Sequence, residues 1–544
     1  MLPRAFPRVP LPPSRAVLVL IALAFVAPGL VGHDPWRAFD VIAIEVVHQM
    51  HLSGDWLVPH LGGDPWLEDP PLFHWVALVF AKALGGVLGF HNAVRLASGF
   101  AVLLSCLCLY LCSARISPEE SRKTVAGTTP LLLIGSVGLM VHAHEAVPDL
   151  AALAASCFAL LALLSNEKPL RNGVLFGVAL GLAFLSTGPV VPAVLFVAAI
   201  LAHAVCDDWR GARAARFLVP AAIVLVVVGG SWPLALWIKE PELARAWWFG
   251  AWYPRGEFLP NLRYYLATAS WATWPVWPLA AWGLWVARKD WRTPALFVPL
   301  AAALLGLPAI AFAGPQQDIN TLTLIAPLAL LGARGVPRLK RGAANALDWF
   351  GVMTFAFFSG LLWLGYVSMM TGLPPKVANN MAKTSPGFVP DFQPLALAAA
   401  LVLAAGWLYL AFFTAPSPAR GPTRWAAGIA LLWGTFSTLL MPWADHVKSY
   451  RGVALQLKAA LPADATCISQ RSLGDPQRAA LSFHAGLYTR PAPYRDAAGC
   501  PFLIVQGSPR HENDAPGAGW RKLADVGRPG DRGERYRLYR RVSG

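Results

Sequence analysis

Charged residues are scarce in this chain. Asp, Glu, Lys and Arg make up 14% of its 544 residues, while 56% of the residues are apolar. Soluble globular domains carry charge on about 25% of their residues, and the mean hydropathy of +0.49 also lies outside their usual range. The shortage of charge therefore excludes an ordinary soluble protein and predicts an α-helical polytopic membrane protein.

Acidic residues are scarcer than basic ones, 30 against 45, which gives a net charge of +15. A basic balance can indicate a nucleic-acid partner. Here the Lys and Arg residues fall in short clusters between apolar runs, the pattern that orients a protein in a bilayer. We therefore expect a membrane around this chain and no nucleic acid.

Cysteine is also rare, and the seven cysteines show no CxxC or Cys/His spacing typical of a zinc site. Cys467 and Cys500 lie in the polar tail and are predicted to form a disulfide if that tail is outside the cytoplasm. The other five lie in or at the ends of apolar runs, where we expect them to pack as small apolar side chains: Cys106, Cys108, Cys112, Cys157 and Cys206.

Thirteen apolar runs are long enough, or nearly long enough, to cross a bilayer. Another run, residues 72–89, is interrupted by His74 and Lys82, so we expect a helix lying in the interface. Residues 1–15 are interpreted as the start of an uncleaved anchor, with a cleaved signal peptide as the alternative. The thirteen runs are residues 16–32, 94–113, 128–143, 149–165, 172–186, 189–206, 217–238, 268–288, 293–314, 319–333, 345–372, 393–414 and 423–443.

The basic residues favour one orientation. With the N-terminus inside, the inside segments hold 20 Lys and Arg, whereas the outside segments before residue 445 hold 9. Counting residues 72–89 as a span would place most basic clusters outside, against the positive-inside rule. The preferred topology has a cytoplasmic N-terminus and an outer C-terminus.

Hydropathy divides the chain into two predicted domains. Residues 1–444 form a membrane domain, whose first outer loop is residues 33–93. Residues 445–544 are predicted to form a small outer α/β domain, with helices at 452–460 and 476–485 and strands at 466–469, 501–506 and 536–542. This domain shows no nucleotide-binding glycine signature, so we interpret it as a structural or substrate-shaping cap.

Carboxylates are concentrated in residues 33–72, where Asp34 and Arg37 follow the first apolar run. A carboxylate at the membrane surface, before an amphipathic helix predicted at 39–52, is well placed to act as a general base towards a hydroxyl or phosphate. Asp34 followed by Pro35 is also a common helix N-cap arrangement, and the spacing alone favours the cap.

A second pair of carboxylates lies in the short outer turn HAHEAVPD, residues 142–149. Glu145 and Asp149 would reach the same membrane face as Asp34. Charges at a membrane boundary cost free energy unless solvated or paired, so the pair predicts a watery cavity. A simple polar turn, with Asp149 capping the next helix, fits the residues at least as well.

The run SGDWLVPHLGGDPWLEDPPLFHWV, preceded by DPWRAFD, resembles the first outer loop of the bacterial lipid-to-lipid sugar transferases that include the lipid A aminoarabinose transferases. These enzymes are relatives of the protein O-mannosyltransferases within the GT-C class. The resemblance covers the whole chain in architecture and is strong in motif over the first loop. Its matching elements are Asp34, Arg37, residues 54–56, Pro59, residues 62–63, residues 68–71, residues 92–95, Asp149 and residues 185–192.

The resemblance implies that Asp34 is the catalytic carboxylate with Arg37 as its partner or a phosphate contact, and that Asp149 and Glu68 are further cavity carboxylates. Two family lysines, which are expected to hold the donor phosphate, are replaced by Asp69 and Thr187. The replacements considered are Arg255 first, then Arg263, Lys239 and Arg245. We predict Asp34 and Asp149 as catalytic residues, and as substrate-binding residues Arg37, Glu68, Asp69, Arg255 and Arg263.

The resemblance further implies a GT-C fold of about 13 transmembrane helices, interfacial helices in the first outer loop and a periplasmic α/β domain. The expected activity moves a sugar from a polyprenyl-phosphate donor to a lipid or glycan acceptor, at the bacterial inner membrane and without a cofactor or metal. The alternatives are a catalytically silent homologue that binds a lipid-linked sugar, and a transporter, although internal repeats are not evident. The outer histidines have no firm ligand spacing and are expected to be solvated: His33, His48, His51, His60, His74, His142 and His144.

Overall fold

The computed structural model describes residues 9–36, 38–252, 256–463, 465, 467–491, 500–508 and 516–542. Arg37 and Arg255, two of the predicted substrate-binding residues, lie outside the described residues. Eight helical segments of the described chain are long and apolar enough to cross a membrane: Phe90–Ile116, Pro169–Thr187, Ala212–Lys239, Pro294–Ala313, Asp318–Arg338, Arg341–Thr371, Pro394–Phe413 and Arg420–Ala460. The predicted membrane fold class is confirmed, while the count of thirteen spans is not.

Helices make up the first half of the described chain. They are α1 (Arg15–Val26), α2 (Phe39–Ser53), α3 (Leu72–Leu88), α4 (Phe90–Ile116), α5 (Glu119–Ile134), α6 (Val137–His142), α7 (Pro148–Leu164), α8 (Pro169–Thr187), α9 (Val190–Val205), α10 (Ala212–Gly229) and α11 (Ser231–Lys239). A short hairpin of β1 (His60–Leu61) and β2 (Asp64–Pro65) lies between α2 and α3. It belongs to the first outer loop.

The second half continues with helices and ends in a sheet. The helices are α12 (Pro241–Trp252), α13 (Phe258–Ala272), α14 (Val276–Ala287), α15 (Pro294–Ala313), α16 (Leu322–Gly335), α17 (Arg341–Thr371), α18 (Pro375–Thr384), α19 (Pro394–Phe413), α20 (Arg420–Thr435), α21 (Met441–Lys448), α22 (Arg451–Ala460) and α23 (Asp475–Ala485). The strands are β3 (Ile468–Arg471), β4 (Arg490–Pro491), β5 (Phe502–Gly507), β6 (Trp520–Val526) and β7 (Arg535–Arg541).

Small residues bring membrane helices close together. Gly173, Gly177 and Gly181 recur every four residues along α8 and face α10. A Cβ on Gly177 would lie 2.6 Å from the carbonyl oxygen of Ala221, and a Cβ on Gly173 would clash with the Phe217 carbonyl. Close backbone approach at small residues is a common basis of helix packing in lipid. The glycine row therefore sets the α8–α10 distance.

The first outer loop is anchored by α2, which is buried on two sides. Val41 and Val46 pack into the core of the C-terminal domain, while Ile44 and Val47 pack against α3 and α4. The predicted helix at 39–52 is thus confirmed, but it is enclosed by protein rather than amphipathic. Gly54, with a φ of 71° that favours glycine, ends α2.

The C-terminal domain is a five-stranded sheet in the order β4-β3-β5-β7-β6, with β4, β3 and β5 parallel and β7 and β6 antiparallel. Every predicted helix and strand of this domain is present within a few residues. The edge strands β4 and β6 were not predicted from the sequence. Cys467 and Cys500 are joined by the predicted disulfide. The predicted boundary between residues 444 and 445 stays a prediction.

The C-terminal domain is docked on the first outer loop. Helix α23 packs along α2, where Ser482 donates a hydrogen bond to the buried Glu45. Arg478, also on α23, forms an ion pair with Asp64 of β2. These contacts hold the start of α23 against the first outer loop.

Candidate functional site

A cavity of about 500 Å³ lies between the membrane helices and the start of α23. Its walls come from α2, α3, α7, α8, α9, α12, α15 and α16 with the loops beside them, and Asp475 and Pro476 of the C-terminal domain complete it. This volume is typical of a small-molecule site. A cavity is therefore present beside Asp149, but Glu145, the other carboxylate of the predicted pair, does not line it and pairs with His142 instead.

Four carboxylates line this cavity: Glu68, Asp69, Asp149 and Asp475. The sequence predicted the first three and missed Asp475, because no local signal shows which end of α23 faces the membrane domain. The structure thus brings together Glu68, Asp69 and Asp149 from separate segments. Thr187, which by the resemblance stands where the family has a lysine, lines the same cavity.

Asp149 lies in the first turn of α7, where the helix dipole favours a negative charge. The N-cap of α7 is Val147, so Asp149 is not the cap that its spacing allowed. Its side chain is partly exposed to the cavity. Within the described residues, no other side chain donates a hydrogen bond to it. This carboxylate is therefore accessible to a ligand in the cavity.

The wall beside Asp149 is held by an ion-pair group. His142 Nδ1 lies 2.8 Å from Glu145 Oε2, and His142 Nε2 lies 3.5 Å from Asp318 Oδ2. Asp318 begins a short helical turn that includes Asn320, whose Nδ2 donates hydrogen bonds to Tyr265 Oη at 2.8 Å and to a backbone carbonyl. The two sides of the cavity that hold Asp149 and Asn320 are thereby fixed relative to each other.

Asp34, the predicted catalytic carboxylate, is not among the residues that line the cavity. Its Oδ1 accepts a hydrogen bond from Arg451 Nη2 at 2.5 Å, and its Oδ2 accepts one from Ser449 Oγ at 2.6 Å. Burial alone would raise the pKa of Asp34, but Ser449 and Arg451 outweigh burial and hold this pKa below its usual range. Helix α2 begins at Phe39 with Ala38 as its N-cap, so the alternative role of Asp34 as a cap is wrong.

A buried ion pair close to Asp34 was not predicted from the sequence. Arg95 of α4 lies 2.7 Å from Asp40 of α2, and both side chains are fully buried. Burial would raise the pKa of Asp40, but Arg95 reverses that effect and lowers it. The resemblance matched residues 92–95 to a family motif but gave Arg95 no partner. Nothing in the sequence paired Arg95 with an acid 55 positions earlier.

The structure describes three of the other predicted cations, and none of the three lines the cavity. Lys239 donates a hydrogen bond to Asp55 at 2.8 Å, and Arg245 pairs with Glu242 at 3.0 Å. Arg263 is an exposed residue of α13 and does not line the cavity. Predictions for Arg37 and Arg255 fall outside the described residues.

Four of the outer histidines are not solvated, contrary to the expectation from the sequence. Ring nitrogens of His33, His142 and His144 hydrogen-bond to backbone carbonyl groups or to Glu145. Desolvation lowers the pKa of His33, and the nearby Arg95 lowers it further, to about 4. No group of three His, Cys, Asp or Glu side chains able to hold a metal ion occurs in the described residues. The four are His33, His74, His142 and His144.

An apolar cleft continues from the cavity between α7, α9, α15 and α16. It shares Val190, Val191, Ile310 and Thr323 with the cavity and extends to Leu160. A cavity that carries carboxylates and opens on a small apolar cleft suits a ligand whose polar head is attached to an apolar group.

Comparisons with known proteins identify relatives of this chain. The family profile of Dolichyl-phosphate-mannose-protein mannosyltransferase matches residues 68–237. The chain is 26% identical over 449 residues to the undecaprenyl phosphate-alpha-4-amino-4-deoxy-L-arabinose arabinosyl transferase of Aeromonas salmonicida, covering 79% of this chain and 77% of that protein. It is 29% identical over 342 residues to arabinosyl transferase 1 of the same description from Sodalis glossinidius, covering 58% of each.

Among solved structures, the chain is similar to ArnT from Cupriavidus metallidurans bound to undecaprenyl phosphate. The TM-score is 0.67 at 18% sequence identity, and the match covers 96% of this chain and 97% of the other. At this identity the likeness shows the fold alone, including the small C-terminal domain. The resemblance inferred from the first outer loop is confirmed by these matches.

Proposed function

We propose that this chain, a membrane glycosyltransferase of the GT-C class related to the aminoarabinose and protein mannosyl transferases, moves a sugar from a polyprenyl-phosphate donor to a lipid or glycan acceptor. The observation that carries the proposal is the cavity beneath the C-terminal domain, with the accessible carboxylate of Asp149 on its wall. The apolar residues of the adjoining small cleft offer a contact for the lipid part of such a donor.

The reaction needs few protein groups because the leaving group is already activated. The bond between the anomeric carbon and the phosphate oxygen breaks, and an acceptor oxygen forms a new bond to that carbon. Asp149 accepts the proton of the acceptor, as a general base within reach of the cavity. Polyprenyl phosphate departs with the electron pair of the broken bond.

Two carboxylates compete for the role of base. Asp34 is the base that the resemblance implies, and it stays a candidate. Asp149 is favoured by its position, because it lines the cavity whereas both oxygens of Asp34 accept hydrogen bonds from residues at the base of the C-terminal domain. In this account Asp149 is catalytic and Asp34 ties the first outer loop to that domain.

The donor phosphate requires cations, because point charges and bidentate guanidinium groups are its natural ligands. Asp69 and Thr187 stand where the family has lysines, so the phosphate contact is moved in this chain. We propose that Arg255 and Arg37 supply it, with Arg263 reaching the donor from the outer surface. Glu68 and Asp69 contribute to the binding of the sugar or the acceptor.

The proposed location is the bacterial inner membrane, with the N-terminus in the cytoplasm and the C-terminal domain in the periplasm. Two observations support this orientation. The basic residues are concentrated on the side assigned to the cytoplasm, and the Cys467–Cys500 disulfide suits an oxidising compartment.

Transfer from a labelled donor tests the proposal. The purified protein in lipid nanodiscs is mixed with undecaprenyl phosphate carrying radiolabelled 4-amino-4-deoxy-L-arabinose, the sugar named for the relatives, or labelled mannose, with lipid A or total membrane lipid as acceptor. We expect label in the acceptor lipid. Binding of the donor without transfer would favour the silent homologue instead.

A further inference from the structure

His142, the last residue of α6, is held between two carboxylates behind the cavity wall. Its Nδ1 lies 2.8 Å from Glu145 Oε2 and its Nε2 lies 3.5 Å from Asp318 Oδ2, so an acid faces each ring nitrogen. Burial would lower the pKa of His142, but the hydrogen bonds and charges of Asp318 and Glu145 outweigh burial and raise it to about 10. His142 is therefore a buried imidazolium at neutral pH.

The residues in contact with this imidazolium reach the cavity, although His142 itself does not line it. The ring of Phe39 meets the His142 ring edge to face, with 6.1 Å between the ring centroids, and Phe39 lines the cavity. Gln317 and Asn320, on either side of Asp318 in the sequence, line the cavity as well. The positive charge of His142 therefore lies directly behind this part of the wall.

Asp149 responds to the charge of His142. Burial raises the pKa of the Asp149 carboxyl to about 6, and His142 acts against burial and lowers this pKa. Among the described residues, His142 is the one side chain whose charge acts on Asp149 in this way. A charge behind the wall occupies neither carboxylate oxygen, so both stay free to accept a proton from a ligand in the cavity.

The surroundings of Asp149 make this charge necessary. Four carboxylates line the cavity, and no Lys or Arg does so within the described part of the chain. Neighbouring negative charges favour the protonated form of a carboxyl group. The other titratable groups nearby do not counter them, because Lys448 of α21 faces Glu145 and Tyr265 of α13 faces Asp149 as a phenol that is neutral at pH 7. His142 is therefore the cation that acts on Asp149.

We propose that His142 is a positioning residue for sugar transfer: held as an imidazolium by Glu145 and Asp318, it keeps Asp149 ionised and able to accept a proton. The inference rests on the proposed function, in which Asp149 is the base, and adds the residue that sets the charge state of that base. A carboxyl group that is already protonated cannot act as a base. The imidazolium thus extends sugar transfer to lower pH.

Two measurements on the full-length protein in nanodiscs test this assignment. One is the pH dependence of kcat/KM for transfer from undecaprenyl phosphate 4-amino-4-deoxy-L-arabinose to lipid A. The other is labelling of Asp149 by dicyclohexylcarbodiimide, which reacts with protonated carboxyl groups and needs no turnover. Mass spectrometry of digests taken across the pH range gives the pH at which labelling of Asp149 is half complete.

Three variants separate charge from shape. His142→Gln removes the positive charge and keeps a side chain that can hydrogen-bond, while His142→Lys keeps a cation at this position. His60→Gln is the matched control, because His60 lies in the β1 strand of the same outer loop and does not line the cavity. Melting temperatures are recorded for all of them.

We expect His142→Gln to raise the pH of half-labelling of Asp149 by about 1 pH unit, because an opposite charge has been lost. The acidic limb of kcat/KM should move by the same amount, so that the rate falls about fivefold near pH 6 and less than about twofold near pH 8.5. His142→Lys should return both midpoints towards the wild-type values. His60→Gln should change neither midpoint.

An unchanged pH of half-labelling in His142→Gln would overturn the inference. An equal loss of rate at every pH would do the same, because that is the effect of a purely structural contact. Wild-type Asp149 that is still half-labelled well above pH 7 would also overturn it, whether or not the variants fold. Wild-type protein that transfers no sugar, while His142→Gln still moves the labelling midpoint, would contradict the proposed function and support the charge coupling.

Discussion

The guanidinium of Arg95 and the carboxylate of Asp40 form a fully buried ion pair, 2.7 Å apart, at the base of the first outer loop. Arg95 also donates hydrogen bonds to the carbonyl oxygens of His33 and Asp34, at 3.0 and 2.9 Å. Asp40 accepts one from the backbone N–H of Ala146 at 2.8 Å. The pair therefore joins the chain after α1, helices α2 and α4, and the turn that leads to Asp149.

Breaking this pair should be strongly destabilising. Arg95→Met leaves the Asp40 carboxylate buried without its countercharge, which costs about 3–5 kcal/mol. The double variant Asp40→Leu with Arg95→Met should lose less, because no buried charge is left unpaired. Thermal unfolding in detergent measures both. A loss below about 1 kcal/mol for Arg95→Met would contradict the structural role assigned to the pair.

The contact between Asp34 and Arg451 should depend on pH. Because the folded protein lowers the pKa of Asp34, its stabilisation is present above the usual pKa of about 3.9 and is lost as pH falls through the lowered value. Asp34→Asn should therefore lower the stability by about 1 kcal/mol at pH 7, since Arg451 is half-exposed. The difference from wild type should shrink as the pH falls below about 3.9 and vanish below the lowered pKa of Asp34. A constant difference across this range would rule out the linkage.

The glycine row of α8 should not tolerate larger residues. Gly177→Val places side-chain atoms against the Ala221 carbonyl and forces α8 and α10 apart, at a cost of about 1–3 kcal/mol. Gly360→Ala is the matched control, because a Cβ on this α17 glycine meets nothing within 4 Å. We expect the control to be neutral or slightly stabilising. Melting curves that coincide for the two variants would contradict close α8–α10 packing.

The disulfide should stabilise the C-terminal domain. It closes a loop with a sequence separation of 33, and loss of such a bridge costs about 2–4 kcal/mol. Cys467→Ser with Cys500→Ser should increase proteolysis within residues 445–544 and leave the membrane helices intact. Mass spectrometry of limited digests locates the cleavages. Free thiols at both positions in wild-type protein isolated from bacterial membranes would contradict the proposed orientation.

Much of the fold could be predicted because its signals are local. Apolar runs mark membrane helices, and the fall in hydropathy after residue 444 precedes the five-stranded sheet. The strand β5 was visible as an apolar run. In β6 (Trp520–Val526), charged residues interrupt the apolar ones, so this strand was not predicted. The number of spans was harder to predict, since α1, α3, α7 and α9 are apolar but have only 10–17 residues.

The site was predicted only in part because its residues meet through long-range contacts. Asp149 and Glu68 were found from a resemblance and from their position in outer loops. Asp475 was missed because the cavity includes it only after α23 docks on α2. Spacing placed Asp34 near a helix start, but its partners, Ser449 and Arg451, are more than 400 positions away.

The central claim is that Asp149, rather than Asp34, is the base in the cavity. Sugar transfer from the labelled undecaprenyl-phosphate donor is measured for wild type, Asp149→Asn and Asp34→Asn, each at saturating donor and with melting temperatures recorded. We predict that Asp149→Asn lowers the rate by about 10²–10⁴-fold with unchanged stability, while Asp34→Asn keeps the rate within about tenfold. A wild-type rate for Asp149→Asn, or a loss of transfer confined to Asp34→Asn, would contradict the account.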